Sequence, residues 1–173
     1  MMSNHSIVCF WSNRSSVLLM ALGALGIGLV AVFLAETLRL EACHLCIFQR
    51  LVYFIIGTVL LVAFLGWNLP FVRISALLAS AVFSAWGLSV AAQQSWLQWF
   101  PESGLSCAMV EPGITERLIN WLGQFYPLFF MATGTCGNKD LVILWLSLAN
   151  WSFLVLSVFL VFALGTMVVR RKT

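Results

Sequence analysis

Cys43 and Cys46 stand at C-x-x-C spacing where an apolar stretch of the chain resumes, and Arg50 follows four residues after the second cysteine. A disulfide at that spacing closes a minimal loop. It removes little entropy from the unfolded chain and is easily exchanged, so it suits redox traffic better than stapling. Other uses of the pair fit less well. Haem attachment wants His after the second cysteine, and Ile47 is there instead. A Cys₄ zinc site wants two closely spaced pairs, whereas Cys107 and Cys136 lie 29 positions apart. No metal is expected. His44, between the two cysteines, either tunes the pair or faces water.

The placement of the pair adds to its chemistry. Cys46 is expected just ahead of a helix, where unpaired backbone N–H groups and the helix dipole favour a thiolate. Arg50 falls on the same helix face. An arginine so close to lipid is costly and usually has a partner. Either it snorkels to the headgroups, or it holds a polar oxygen or developing negative charge beside Cys46.

The elements that must position these residues are membrane spans. The chain is 62% hydrophobic and 9% charged over 173 residues, against about 45–50% and 25% in a soluble domain. Its net charge of +3 is small and scattered, which gives nucleic acid no surface to bind. Uncharged or nearly uncharged runs at about 17–35, 47–66, 74–92 and 151–169 are each long enough to cross a bilayer. The first run exceeds a signal-peptide core and no A-x-A site follows it. Gly23, Gly26 and Gly28 lie inside it with no preceding strand, so helix–helix packing explains them better than a nucleotide loop. The expected fold is an all-α integral membrane protein, a four-helix bundle with a short loop at about 36–46 and a long one at about 93–150. In the long loop Ile114, Leu118, Trp121, Leu122, Phe125 and Phe129 recur at helical spacing, which predicts an amphipathic helix on the membrane surface, capped by Thr115.

Charge orients the bundle. Arg14, Arg73, Arg170, Arg171 and Lys172 fall on one side, and all six acids fall on the other. The positive-inside rule then puts both termini in the cytoplasm and both loops on the oxidising face. Cys9 stays on the reducing side as a spectator. Cys107 and Cys136, flanked by small residues, form either a structural disulfide or a second redox pair, and the C-x-x-C on the same face favours a relay. The chain carries no flavin, nicotinamide, haem or iron–sulfur fingerprint. Two electrons leaving a dithiol here need a lipid-soluble two-electron acceptor, and a quinone meets that need.

The residues Cys43-His44-Leu45-Cys46-Ile47-Phe48-Gln49-Arg50 resemble the C-x-x-C-I-x-x-R signature of the bacterial disulfide bond formation protein B (DsbB) family. Ala132-Thr133-Gly134-Thr135-Cys136 resembles the A-T/S-G-x-C element of that family. The resemblance implies an inner-membrane thiol-disulfide oxidoreductase. A periplasmic DsbA-type thiol oxidase would form a mixed disulfide at Cys107 of the Cys107–Cys136 pair. Electrons would reach Cys43–Cys46 through a Cys43–Cys107 intermediate. Cys46, assisted by Arg50, would deliver them to ubiquinone or menaquinone. Where some members carry Glu-His near the outer end of the third span, this chain has Gln93 and Gln94. Gln94 can hydrogen-bond a quinone oxygen but cannot titrate. Two rivals remain: a non-catalytic membrane scaffold with two structural disulfides, and an oxidoreductase of the vitamin K epoxide reductase type. The latter places its C-x-x-C near the end of a late span rather than at the opening of the second.

Overall fold

The computed structural model describes residues 13–39, 43–100, 113–125, 130, 142–143 and 145–171. Cys9, Cys107, Cys136 and Phe129 lie outside the described residues. Four long helices dominate: α1 (Arg14–Thr37), α2 (His44–Leu65), α3 (Pro70–Trp99) and α5 (Leu148–Arg171). Each is long and apolar enough to cross a membrane. Between α3 and α5 come a short helix, α4 (Ile114–Phe125), and a two-residue antiparallel pairing of β1 (Val142–Ile143) with β2 (Leu146–Ser147).

Local chemistry sets several helix ends. The Asn13 side chain accepts from Ser15 N at 3.3 Å and caps α1. Leu69 N donates to Gly66 O at 2.9 Å in the turn after α2, and Pro70 then opens α3, where its missing N–H costs nothing. Asn150 N donates to Ser147 Oγ at 3.4 Å in the first turn of α5.

The long helices pack in chain order, α1 on α2, α2 on α3 and α3 on α5, and α4 rests on α2. The most enclosed of the four is α2. Its buried stripe runs Leu45, Phe48, Val52, Ile56, Leu60, Ala63 in steps of three or four. Against it α3 sets a line of small or polar residues: Ala76, Ser80, Ser84, Gly87, Ala91 and Gln94. Lipid tails are as apolar as leucine, so burial alone does not drive these helices together; close packing and polar links do. At Gly87 a β-carbon would come within 3.0 Å of Val52 and 3.1 Å of Leu156, so α2, α3 and α5 converge there. Leu22, Leu29, Phe33, Val158 and Val161 point outward, as lipid contact requires.

Several expectations are corrected. Only Gly28 of the three α1 glycines makes a close approach, with the Phe54 ring 3.2 Å from where its β-carbon would be. A β-carbon at Gly23 or Gly26 meets no atom within 4 Å, because these two face away from α2. Helix α2 begins at His44 rather than after Cys46, and α3 continues past residue 92 to Trp99. Bilayer thickness limits an apolar run, whereas a helix continues as long as its backbone ladder does. Thr115 lies inside the first turn of α4, and the carbonyl of Gly113 accepts the first helical bond, from Arg117 N at 2.9 Å.

Arg14 lies over the Phe64 ring at 4.3 Å, and Arg73 lies 5.4 Å from the Trp67 ring centroid. The start of α1, the end of α2 and the start of α3 therefore share one end of the bundle. The first turn of α2, with its cysteines, is at the other. The seam between α1 and α2 can be tested with one substitution at two places. At Gly57 a β-carbon would lie 2.6 Å from Leu25 Cγ and 3.1 Å from the Ala21 carbonyl oxygen. Gly57→Ala is expected to destabilise the bundle by about 1–3 kcal/mol. Gly23→Ala is expected to be neutral or stabilising, since alanine is the better helix former. Thermal unfolding of both variants in detergent checks this, and equal midpoints would contradict the packing.

Candidate functional site

The redox end is built where the start of α2 meets the outer part of α3. Cys43 occupies the N-cap position of α2 and is buried, and its carbonyl accepts from Ile47 N at 3.1 Å. Cys46 sits in the first turn and is half-buried. The two sulfurs lie 3.3 Å apart, with Cys43 donating to Cys46. A small side-chain rotation would bring them to bonding distance.

Gln94, carried into reach by the extra turns of α3, approaches from the facing helix. Its Nε2 donates to Cys46 Sγ at 2.9 Å and lies 3.7 Å from Cys43 Sγ. The Gln94 Oε1 in turn accepts from Gln49 Nε2 at 2.8 Å. Both amides are buried. Cys46 Sγ thus receives two donors, the Cys43 thiol and the Gln94 amide, at the N-terminal end of a helix. All three features favour negative charge on that sulfur.

The other side of Cys46 opens on a cleft of about 80 Å³. Cys46, Gln49, Arg50 and Tyr53 of α2 line one wall, Ala31 and Leu34 of α1 another, and Leu148 and Ser152 of α5 a third. The Tyr53 hydroxyl donates to Ser152 O at 3.4 Å and ties α2 to α5 beneath the cleft. The expected pairing of Cys46 with Arg50 on one helix face is met, since both reach the same space. The contacts of Gln94 run to the sulfurs and to Gln49.

His44 is partly exposed and makes a solvent-exposed contact with α4. Its Nε2 is 3.0 Å from Asn120 Oδ1 on α4. Ile119 of α4 is fully buried, with Leu118 and Leu122 partly buried beside it. The apolar stripe expected on this helix therefore divides. Leu118 and Leu122 dock on the bundle beside Ile119, which the expected stripe did not include, while Ile114, Trp121 and Phe125 stay exposed, with the last two rings 5.0 Å apart.

Comparison with known proteins fits this arrangement. The family described as Disulfide bond formation protein DsbB matches residues 13–166. The chain belongs to the disulfide bond formation protein B family. The Disulfide bond formation protein B of Dechloromonas aromatica (strain RCB) is 43% identical over 136 residues, covering 79% of this chain and 81% of the relative. That of Verminephrobacter eiseniae (strain EF01-2) is 35% identical over 153 residues, covering 83% and 81%. That of Albidiferax ferrireducens (strain ATCC BAA-621 / DSM 15236 / T118) is 32% identical over 169 residues, covering 94% and 93%.

Membership accounts for the bundle as a multi-pass membrane protein of disulfide formation. It does not explain Gln49 or Asn120, which the reading of the sequence passed over. A signal for Gln49 was visible, since an amide within an apolar helix needs a partner there. Asn120 had none, because a polar residue on a surface helix is ordinary. The docking of α4 yields a prediction. Ile119→Ala removes a fully buried side chain, worth about 2–5 kcal/mol. Asn120→Ala removes one exposed hydrogen bond, worth about 0.5–1.5 kcal/mol. Hydrogen exchange of the α4 amides should rise far more in the first variant, and the reverse order would assign docking to the His44 contact.

Proposed function

We propose that this chain is a quinone-dependent protein-disulfide oxidoreductase of the bacterial inner membrane. Both termini lie in the cytoplasm, and the cysteine loops face the periplasm. It reoxidises a DsbA-type thiol oxidase and passes the electrons to ubiquinone or menaquinone. The observation that carries the reading is that Cys46 accepts hydrogen bonds from Cys43 and Gln94 on one side and shares a cleft with Arg50 on the other.

The chemistry follows from exchange. The partner's thiolate attacks Cys107 Sγ, and the electron pair of the Cys107–Cys136 bond leaves on Cys136. The partner's second thiolate then closes the partner's own disulfide and expels the Cys107 thiolate, which attacks Cys43 Sγ. A new S–S bond forms at Cys43, the Cys43–Cys46 bond breaks, and its electron pair leaves on Cys46 Sγ. The two donors to Cys46 stabilise that leaving thiolate. The donor set of the cleft suits a quinone. Its apolar walls, Ala31, Leu34 and Leu148, accept an uncharged ring, and the Arg50 guanidinium offers donors to a carbonyl oxygen. When bound, a quinone supplies a two-electron, two-proton acceptor. Arg50 would hold a quinone oxygen, and the apolar residues would exclude water.

The test uses the purified full chain, a reduced DsbA-type partner and a soluble quinone. Wild-type protein should reduce the quinone, and Cys46→Ser should abolish turnover. Absence of quinone reduction by the wild type would leave the structural scaffold as the reading. Arg50→Ala should raise the Michaelis constant for quinone about tenfold, the value of one charge-assisted hydrogen bond. Exchange with the partner should keep its rate. Equal loss of both would make Arg50 a structural residue.

A further inference from the structure

We infer that Gln49 is a positioning residue. Its side-chain amide occupies the Gln94 carbonyl and so turns the Gln94 amino group onto Cys46 Sγ. This inference rests on reading Cys43 and Cys46 as the redox pair. An amide offers a donor end and an acceptor end of nearly the same shape. Gln94 is 2% exposed, so neither end can be satisfied by bulk water. With Gln49 Nε2 at 2.8 Å from Gln94 Oε1, the acceptor end is taken and the donor end faces the sulfur at 2.9 Å. Without that donor the buried carbonyl would be orphaned, which is costly in an apolar bundle. Turned over, that carbonyl would take the place of Nε2, which lies 2.9 Å from Cys46 Sγ and 3.7 Å from Cys43 Sγ, both of which carry S–H donors when reduced. The Gln94 side chain would then turn over, accept from S–H, and favour the neutral thiol at the position where a leaving thiolate is needed.

Gln49 is well placed for this. It lies one residue before Arg50 and one turn past Cys46, on α2, and its partner is on α3. It is 4% exposed, borders the cleft beside Cys46 and Arg50, and its amide donates to Gln94 rather than to either sulfur. Its effect on Cys46 therefore passes through Gln94.

The experiment compares Gln49→Met, Gln94→Met and the double variant as reduced full-length proteins in detergent. The readout is iodoacetamide modification of Cys46 and Cys43, followed separately by mass spectrometry at one mildly acidic pH. Losing one hydrogen bond to a charged sulfur lowers the thiolate population about tenfold, and greater nucleophilicity recovers part of the rate. Modification of Cys46 in Gln49→Met should therefore slow about threefold. Gln94→Met should slow it at least as much, and the double variant should match Gln94→Met. Cys43 should not become faster. An unchanged rate at Cys46 in Gln49→Met overturns the inference, as does a double variant whose loss is the product of the singles. Faster modification of both cysteines also overturns it, because that marks a loosened bundle. The readout needs neither quinone nor partner protein, so failure of quinone reduction by the wild type would count against the proposed function and leave this result readable.

Discussion

A hydrogen bond formed inside an apolar bundle governs the redox end: Gln94 of α3 donates to Cys46 of α2 at 2.9 Å. In lipid a polar side chain has no water to fall back on, so it must find its partner within the protein. Two glutamines and two sulfurs satisfy one another across the α2–α3 seam. The contact demands that both helices hold their register. The small residues of α3 allow this by letting the backbones approach, and Gly87 brings α5 to the same junction. The packing of the bundle and the chemistry of the sulfur are therefore one constraint.

That constraint makes the two cysteines unequal. Cys43 is enclosed at the N-cap, beside the point where His44 reaches α4. Cys46 is turned toward the cleft, a turn of helix away from Arg50. Adjacent residues on a helix start diverge by about 100°, so three positions of separation bring Cys46 back near the azimuth of Cys43 while advancing it along the axis. The C-x-x-C spacing thus keeps the two sulfurs 3.3 Å apart while Cys46 alone of the pair borders the cleft. Docking of α4 through Ile119 adds a second fastening above the same turn.

Much of this was legible in the sequence because lipid imposes simple rules. Apolar runs long enough to span a bilayer announced α1, α2, α3 and α5, and helical spacing placed Cys46 and Arg50 on one face. The rest was not legible, for physical reasons. Gly23 and Gly28 look alike in a sequence, but only the tertiary arrangement decides which one meets Phe54. The end of the apolar run at residue 92 concealed the continuation of α3, and with it the reach of Gln94 to the sulfur. The stripe on α4 looked like one face because hydrophobicity does not distinguish a surface packed on protein from one turned outward. Ile119 lies off that stripe and is the residue of α4 that docks most deeply.

Three arginines show how location converts one side chain to different ends. Arg14 and Arg73 sit at the end of the bundle away from the cysteines and place their guanidinium groups against Phe64 and Trp67. Arg73 also donates to the Trp67 carbonyl at 3.4 Å. Such contacts suit a charge at an interface, where the ring and the headgroup region share it. Arg50 has a different setting, between aliphatic side chains and beside a sulfur that already collects donors. A cation held there raises the cost of the resting site and lowers the cost of any step that puts negative charge in the cleft. Snorkelling explains the first two arginines without any chemistry. For the third it would leave unexplained why the residue shares its cleft with Cys46.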